Sequence, residues 1–242
     1  MPDLLRTLLA PVLLVQGARL FKTIPRLPEP SGDREGSRGT GTPLRLLVVG
    51  DSSGAGVGVA TQDEALLGQT VRRLAERREV RFRLVARHGS TLPRTLSHLR
   101  KQKPAPFDVA LVALGLNDII EGRDQRAWMG AYHDLVALLR ERFGVRHVVA
   151  SGLPPVGAFP AVPNPLRWVL GRQARRYDEM LKAWADGEPG VTYIDFETVP
   201  GDPLHGVPMP AVMADDGFHP GPRIYAEWGR RAAGAVLEAN PD

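Results

Sequence analysis

Asp216 and His219 stand three residues apart in the run Asp216-Gly217-Phe218-His219-Pro220, close enough to share a hydrogen bond within one turn of chain. An acid held against one ring nitrogen of a histidine fixes the tautomer and leaves the other nitrogen to accept a proton. A hydroxyl is the natural donor to such a pair, and Ser52 lies in a segment suited to present one, Gly50-Asp51-Ser52-Ser53-Gly54-Ala55-Gly56. Glycines on both sides let the backbone turn sharply, so that Ser52 is held exposed with its own N–H facing a substrate. Two further positions offer neutral donors to a developing oxyanion. Gly89, in Arg87-His88-Gly89-Ser90-Thr91, has an N–H that no side chain shields; Asn117, in Gly115-Leu116-Asn117-Asp118, has an amide with no proton to lose.

Taken singly, several of these blocks have other readings. Gly54, Gly56 and Gly58 suggest a nucleotide-binding loop, although the third glycine of G-x-G-x-x-G is missing and no lysine follows as in a P-loop. The same block matches G-x-S-x-G, the nucleophile elbow of α/β-hydrolases, or an ordinary serine-rich turn. The block around Gly89 reads as a strand-to-helix turn, and Asn117 with Asp118 as a capped turn; Asp118 is assigned that structural role. In α/β-hydrolases the acid and the histidine usually arrive on separate loops, so the close Asp216/His219 pair argues for another fold.

The elements needed to position these residues alternate along the chain. Residues 44–49 are apolar apart from Arg45 and lead into Gly50, which suits a parallel strand buried on both faces. Thr61 and Glu64 have capping-box spacing, and Leu67, Val71, Leu74 and Ala75 then make one apolar helical face. Strands are expected at 80–86, 108–114, 145–151 and 191–196, and helices at 92–102, 125–143, 165–185 and 222–238, the last opening at Pro222. Such alternation implies a doubly wound sheet whose site lies at the carboxyl ends of the strands. The four blocks fall just after the first three strands and just before the last helix.

In this order and placement the blocks resemble those of the SGNH, or GDSL, hydrolases: Gly-Asp-Ser with Gly56 beyond, Gly89, Gly-x-Asn-Asp and Asp-x-x-His-Pro. The resemblance runs from about residue 44 to the C-terminus. It implies an α/β fold, a flavodoxin-like three-layer α/β/α sandwich with a five-stranded parallel sheet, and hydrolysis of carboxylic esters or thioesters without a cofactor. By the same resemblance Ser52 matches the nucleophile and first oxyanion donor, Gly89 the second donor, Asn117 the third, His219 the base and Asp216 the acid. His88 is a departure, since many members carry a small or amide residue there. The chain also looks like a bacterial subgroup with a proline-rich stretch after strand four, here 153–170. The function expected is that of a serine esterase acting on short- to medium-chain acyl esters, lipid esters or thioesters through an acyl-enzyme. An acyltransferase using the same residues and a non-catalytic binding protein on the same fold stay open. Phe159, Pro160, Val162, Leu166 and Trp168 lie in the long connection after strand four, and Phe159 and Val162 are the candidates for an acyl pocket.

Composition narrows the remaining classes. At 242 residues and 43% hydrophobic content, the chain suits one α/β domain, 44–242, preceded by an N-terminal segment and linker, 1–43. With no cysteine there are no disulfides, thiolate nucleophiles or cysteine-ligated metals. His98, His133, His147 and His205 lack metal-ligand spacing and read as surface or helix residues. The net charge of +4 comes from arginines scattered along the chain, a pattern that does not point to nucleic acid. The segment from Leu4 to Phe21 has an amphipathic helical pattern interrupted by Pro11, with apolar runs too short to cross a bilayer. It reads as a helix on a membrane surface, a helix packed against its own domain, or a signal peptide. A cytoplasmic or membrane-peripheral location is expected, with secretion left open. Residues 28–43 read as a Pro/Gly/Ser-rich linker. Nothing in the sequence fixes an oligomeric state.

Overall fold

Strands rich in Leu, Val and Ala on both faces require cover on both, and parallel pairing with helical crossovers supplies it. The computed structural model describes residues 2–196 and 202–240. In chain order the elements are α1 (Pro2–Thr23), β1 (Glu35–Arg38), β2 (Thr42–Gly50), α2 (Ser52–Ala55), α3 (Leu66–Leu74), β3 (Arg78–Ala86), α4 (Leu92–Lys101) and β4 (Val109–Ala113). There follow α5 (Leu116–Ile120), α6 (Gln125–Phe143), β5 (His147–Ser151), α7 (Leu166–Gly187), β6 (Val191–Ile194) and α8 (Pro222–Ala239). The sheet order is β1-β3-β2-β4-β5-β6, with every pair parallel except β1 on β3. Without β1 this is the flavodoxin-like order, in which the chain reverses its direction of winding at β2.

Alternate residues of each strand feed two cores. Leu46, Val48 and Leu111 pack with α3 and α8 on one face, through Leu67, Val71, Tyr225 and Trp228. Leu47, Val49 and Val112 pack on the other with α4, α6 and α7, through Leu96, Trp128, Leu135 and Leu181. The three-layer sandwich expected from the sequence is therefore present.

Three local expectations need correction. The stretch 28–43 is not a linker outside the domain: Glu35–Arg38 pairs with β3 from Glu35↔Arg83 to Arg38↔Val80, making six strands rather than five. Its four residues are all exposed and show no hydrophobic alternation, because an edge strand with one neighbour needs none. Gly36 admits the Phe82 ring, which a Cβ would meet at 3.0 Å, and Glu35 pairs with Arg83 at 2.9 Å. Second, the Glu64 carboxylate accepts from the Thr61 N–H and hydroxyl, both at 3.1 Å, but this closes a turn; the helix begins only at Leu66. Third, α1 is not amphipathic. Leu13 and Leu20 pack on the α4/α6/α7 core, and Gln16 bonds to Asn164 O (2.7 Å) and the Leu166 N–H (3.0 Å), yet Val12, Leu14 and Val15 are exposed on its outer side. Among the described residues no helix is long and apolar enough to cross a membrane.

Helix α8 is pressed onto α3 at Gly229, where a Cβ would lie 2.4 Å from Gln69 Cβ and 2.8 Å from its backbone carbon. Overpacking of this kind costs about 1–3 kcal/mol. Gly229→Ala is accordingly expected to lower the unfolding free energy by that amount, read as a lower urea midpoint with the m-value unchanged; an unaltered midpoint would mean that the two helices are not in contact there.

Candidate active site

Parallel strands end at one edge of the sheet, so β2 and its two neighbours deliver three of the blocks to the same crevice. Strand β2 ends in Gly50, where a Cβ would meet Gly54 Cα at 2.7 Å; only glycine lets the chain fold back so tightly. Asp51 caps α2 by accepting from the Ser53 N–H at 2.9 Å, and Ser52 is the first residue of that helix, with no partner for its N–H inside it. From α8, the Tyr225 hydroxyl reaches Val57 O at 2.7 Å and Ser53 O at 3.0 Å, tying the Ser52 segment to the last helix.

The fourth block meets this segment from the loop before α8. His219 Nε2 lies 2.9 Å from Ser52 Oγ, and His219 Nδ1 lies 2.5 Å from Asp216 Oδ2. The turn between them needs a positive φ at Gly217 (+61°), and the other Asp216 oxygen accepts the N–H groups of Phe218 and His219, each at 2.9 Å. All three side chains are buried. Burial pushes the Asp216 carboxyl up, but the bonds from His219 and from the two amides outweigh it and hold it below its ordinary value. A carboxylate that stays ionised beside Nδ1 leaves Nε2 to take a proton from the serine.

Asn117, from the start of α5, lines the same crevice as Ser52. Its Nδ2 lies 3.1 Å from Asp51 Oδ2 and 3.1 Å from Ser90 O, so both amide protons are engaged within the protein. Donation to a substrate oxygen requires one of them to turn or to be shared. Gly89 (φ +66°) has open space where a Cβ would be, and the neighbouring His88 ring is centred 5.8 Å from that of His219. Burial lowers the His88 pKa, as does the nearby His219. Asp118 is fully buried, accepting from the Leu92 N–H (2.9 Å) and Arg123 (2.7 Å); it joins α4 to α5, the structural role expected of it.

A cavity of about 330 Å³ opens beside Ser52 and Asn117, and apart from them and Asp51 its wall is mostly apolar. Phe159 lines it, with its ring edge-on to Phe218 at 5.6 Å. Val162 does not: it is buried in the α4/α6/α7 core, as is Leu166, while Trp168 is exposed. Much of the wall comes instead from Phe196, Val207, Met213, Ile224 and Trp228, which sequence reasoning missed. The long span between β6 and α8 was the signal available, since connections of that length are commonly functional. Of the other histidines, His98 and His133 lie on helices as expected, whereas His147 opens β5 and bonds Thr192 at 2.8 Å.

Asp51 is a further residue to which the sequence motif assigned no role. Burial pushes its carboxyl up to about 6, against partial compensation from the Ser53 and Gly54 amides and His219. A folded pKa above the unfolded value of 3.8 means that the folded form holds a proton longer, so this group's contribution falls as pH rises from about 4 through 6. Asp51→Asn removes that penalty. Relative to wild type, the variant should gain about 2 kcal/mol of stability between pH 4 and pH 7 in urea unfolding. A difference independent of pH would show that Asp51 is not a strained buried acid.

Comparison with known proteins shows the family and the fold. Residues 48–227 match the GDSL-like lipase/acylhydrolase family. A member of the lipolytic G-D-S-L family from Veillonella parvula superposes with a TM-score of 0.58 at 21% identity, covering 81% of this chain and 97% of its own. A putative arylesterase from Agrobacterium tumefaciens gives 0.58 at 19%, covering 81% and 99%. A family 2 carbohydrate esterase from Corynascus thermopiles (Myceliophthora fergusii) gives 0.55 at 16%, covering 89% and 68%. At these identities the likeness is one of fold. No curated protein matches the sequence.

Proposed function

The chain belongs to the GDSL-like lipase/acylhydrolase family, and from that premise we propose that it is a serine ester hydrolase with Ser52 as nucleophile, His219 as base and Asp216 as the acid that orients it. The observation that carries the reading is the 2.9 Å contact from Ser52 Oγ to a histidine nitrogen whose ring partner is an ionised, buried carboxylate. His219 removes the serine proton as Oγ attacks the ester carbonyl, and then donates it to the departing alcohol. The N–H groups of Ser52 and Gly89 and the Asn117 amide stabilise the tetrahedral oxyanion. Water activated by the same histidine releases the acid from the acyl-enzyme.

The apolar cavity beside Ser52 suits the acyl chain. Each buried methylene contributes about 0.8 kcal/mol, so specificity should rise from acetyl towards octanoyl esters. Release of p-nitrophenol from acetyl, butyryl and octanoyl esters tests both parts. Ser52→Ala should lose at least about a thousandfold in kcat. Asn117→Ala should lose about a hundred- to a thousandfold, and a loss of only a few-fold would remove Asn117 from the oxyanion site. Phe159→Ala should lower kcat/KM for the octanoyl ester more than for the acetyl ester; a uniform effect would put the acyl chain elsewhere.

A further inference from the structure

Among the described residues four large apolar side chains are exposed, Val12, Leu14, Val15 and Trp168, and all lie on α1 or the first turn of α7. Gln16 clamps the two helices together through Asn164 O and the Leu166 N–H. Leu13, Gln16 and Leu20 share the inner face of α1 at helical spacing, which puts Leu14 and Val15 on the outer side with Arg19 and Lys22. A helix apolar on both sides is ordinarily covered on both, and this domain covers only one.

Charge identifies the cover. Residues 4–28 and 153–177 together contain eight Lys and Arg and no Asp or Glu, whereas the whole chain has 31 and 27, so the remainder is net acidic. Arg19, Lys22, Arg26, Arg172, Arg175 and Arg176 are exposed, and none has a carboxylate partner among the described residues. On α7, Trp168, Arg172, Arg175 and Arg176 follow one stripe, and the Arg172 guanidinium sits 4.9 Å over the Trp168 ring. The loop that leads into this helix contributes Leu153, Pro154, Pro155 and Phe159 to the cavity wall.

We infer that α1 and the start of α7 form a docking surface for an anionic lipid bilayer. Leu14, Val15 and Trp168 enter the interface while the unpaired cations meet lipid phosphates. A second copy of the chain fits less well, because a two-fold contact would set this cationic surface against itself. The surface does not depend on the chemistry at Ser52, so Ser52→Ala protein, which cannot consume lipid by the proposed mechanism, can report binding alone.

The test is co-sedimentation of full-length Ser52→Ala protein with vesicles of phosphatidylcholine, and of phosphatidylcholine with about one-third phosphatidylglycerol, at about 0.1 M salt. Binding is expected to the mixed vesicles and to be at least about tenfold weaker to the neutral ones. Adding Leu14→Glu and Val15→Glu should weaken binding to the mixed vesicles about tenfold or more. In the Ser52 background the same two substitutions should leave turnover of p-nitrophenyl acetate unchanged, which verifies the fold. Failure of the parent protein to bind, equal binding to both vesicles, or equal binding by the Glu variant would overturn the inference. So would a lipid-free dimer that the two Glu substitutions dissolve, since the surface would then serve self-association.

Discussion

Strand β2 has a parallel neighbour on each side, and the chain winds away from it in opposite directions. That constraint makes the site. Helices leaving on opposite faces cannot close over the ends of β2, β3 and β4, so a crevice remains that Ser52 and Asn117 line, with the loop of Gly89 beside it through Ser90 and His88. Within it the glycine-lined passage through Gly50 and Gly54 sets how sharply Ser52 is turned out. Tyr225 then couples that passage to α8, which follows directly on the loop of Asp216 and His219. Packing of α8 on α3 through Gly229 thereby bears on the registration of Ser52 with His219.

Two carboxylates share this site with their pKa values shifted in opposite directions. Asp216 is surrounded by donors that outweigh its burial, and so remains charged beside the His219 ring. Asp51 is as deeply buried, but the donors around it do not offset that burial and it is held up at about 6, its oxygens engaged by the Ser53 amide and Asn117. The difference follows from environment alone, since both are aspartates. It pairs Asp216 with His219 and Asp51 with the Ser53 amide and Asn117.

The sequence was most legible where periodicity or chemistry constrains it from both ends. Helix Gln125–Phe143 and the buried strands follow from apolar spacing, and Ser52, Asp216 and His219 from residue types whose spacing has few other uses. Edge strand β1 left no such trace, because four exposed residues hydrogen-bonded on one side carry no alternation. Val162 shows the complementary limit: an apolar residue in a long loop is equally suited to a pocket or a core, and only tertiary packing decided for the core. The cavity wall from the span before α8 was hidden for the same reason, its residues being scattered rather than periodic.

The central claim is that Ser52, and not its neighbour Ser53, is made nucleophilic by His219. Labelling with a fluorophosphonate that reacts only with activated serines, followed by mass spectrometry of the modified peptide, tests it most directly. The account predicts a single adduct on Ser52 that forms slowly or not at all in His219→Ala. An adduct on another serine, or labelling of Ser52 at an unchanged rate without His219, would contradict it.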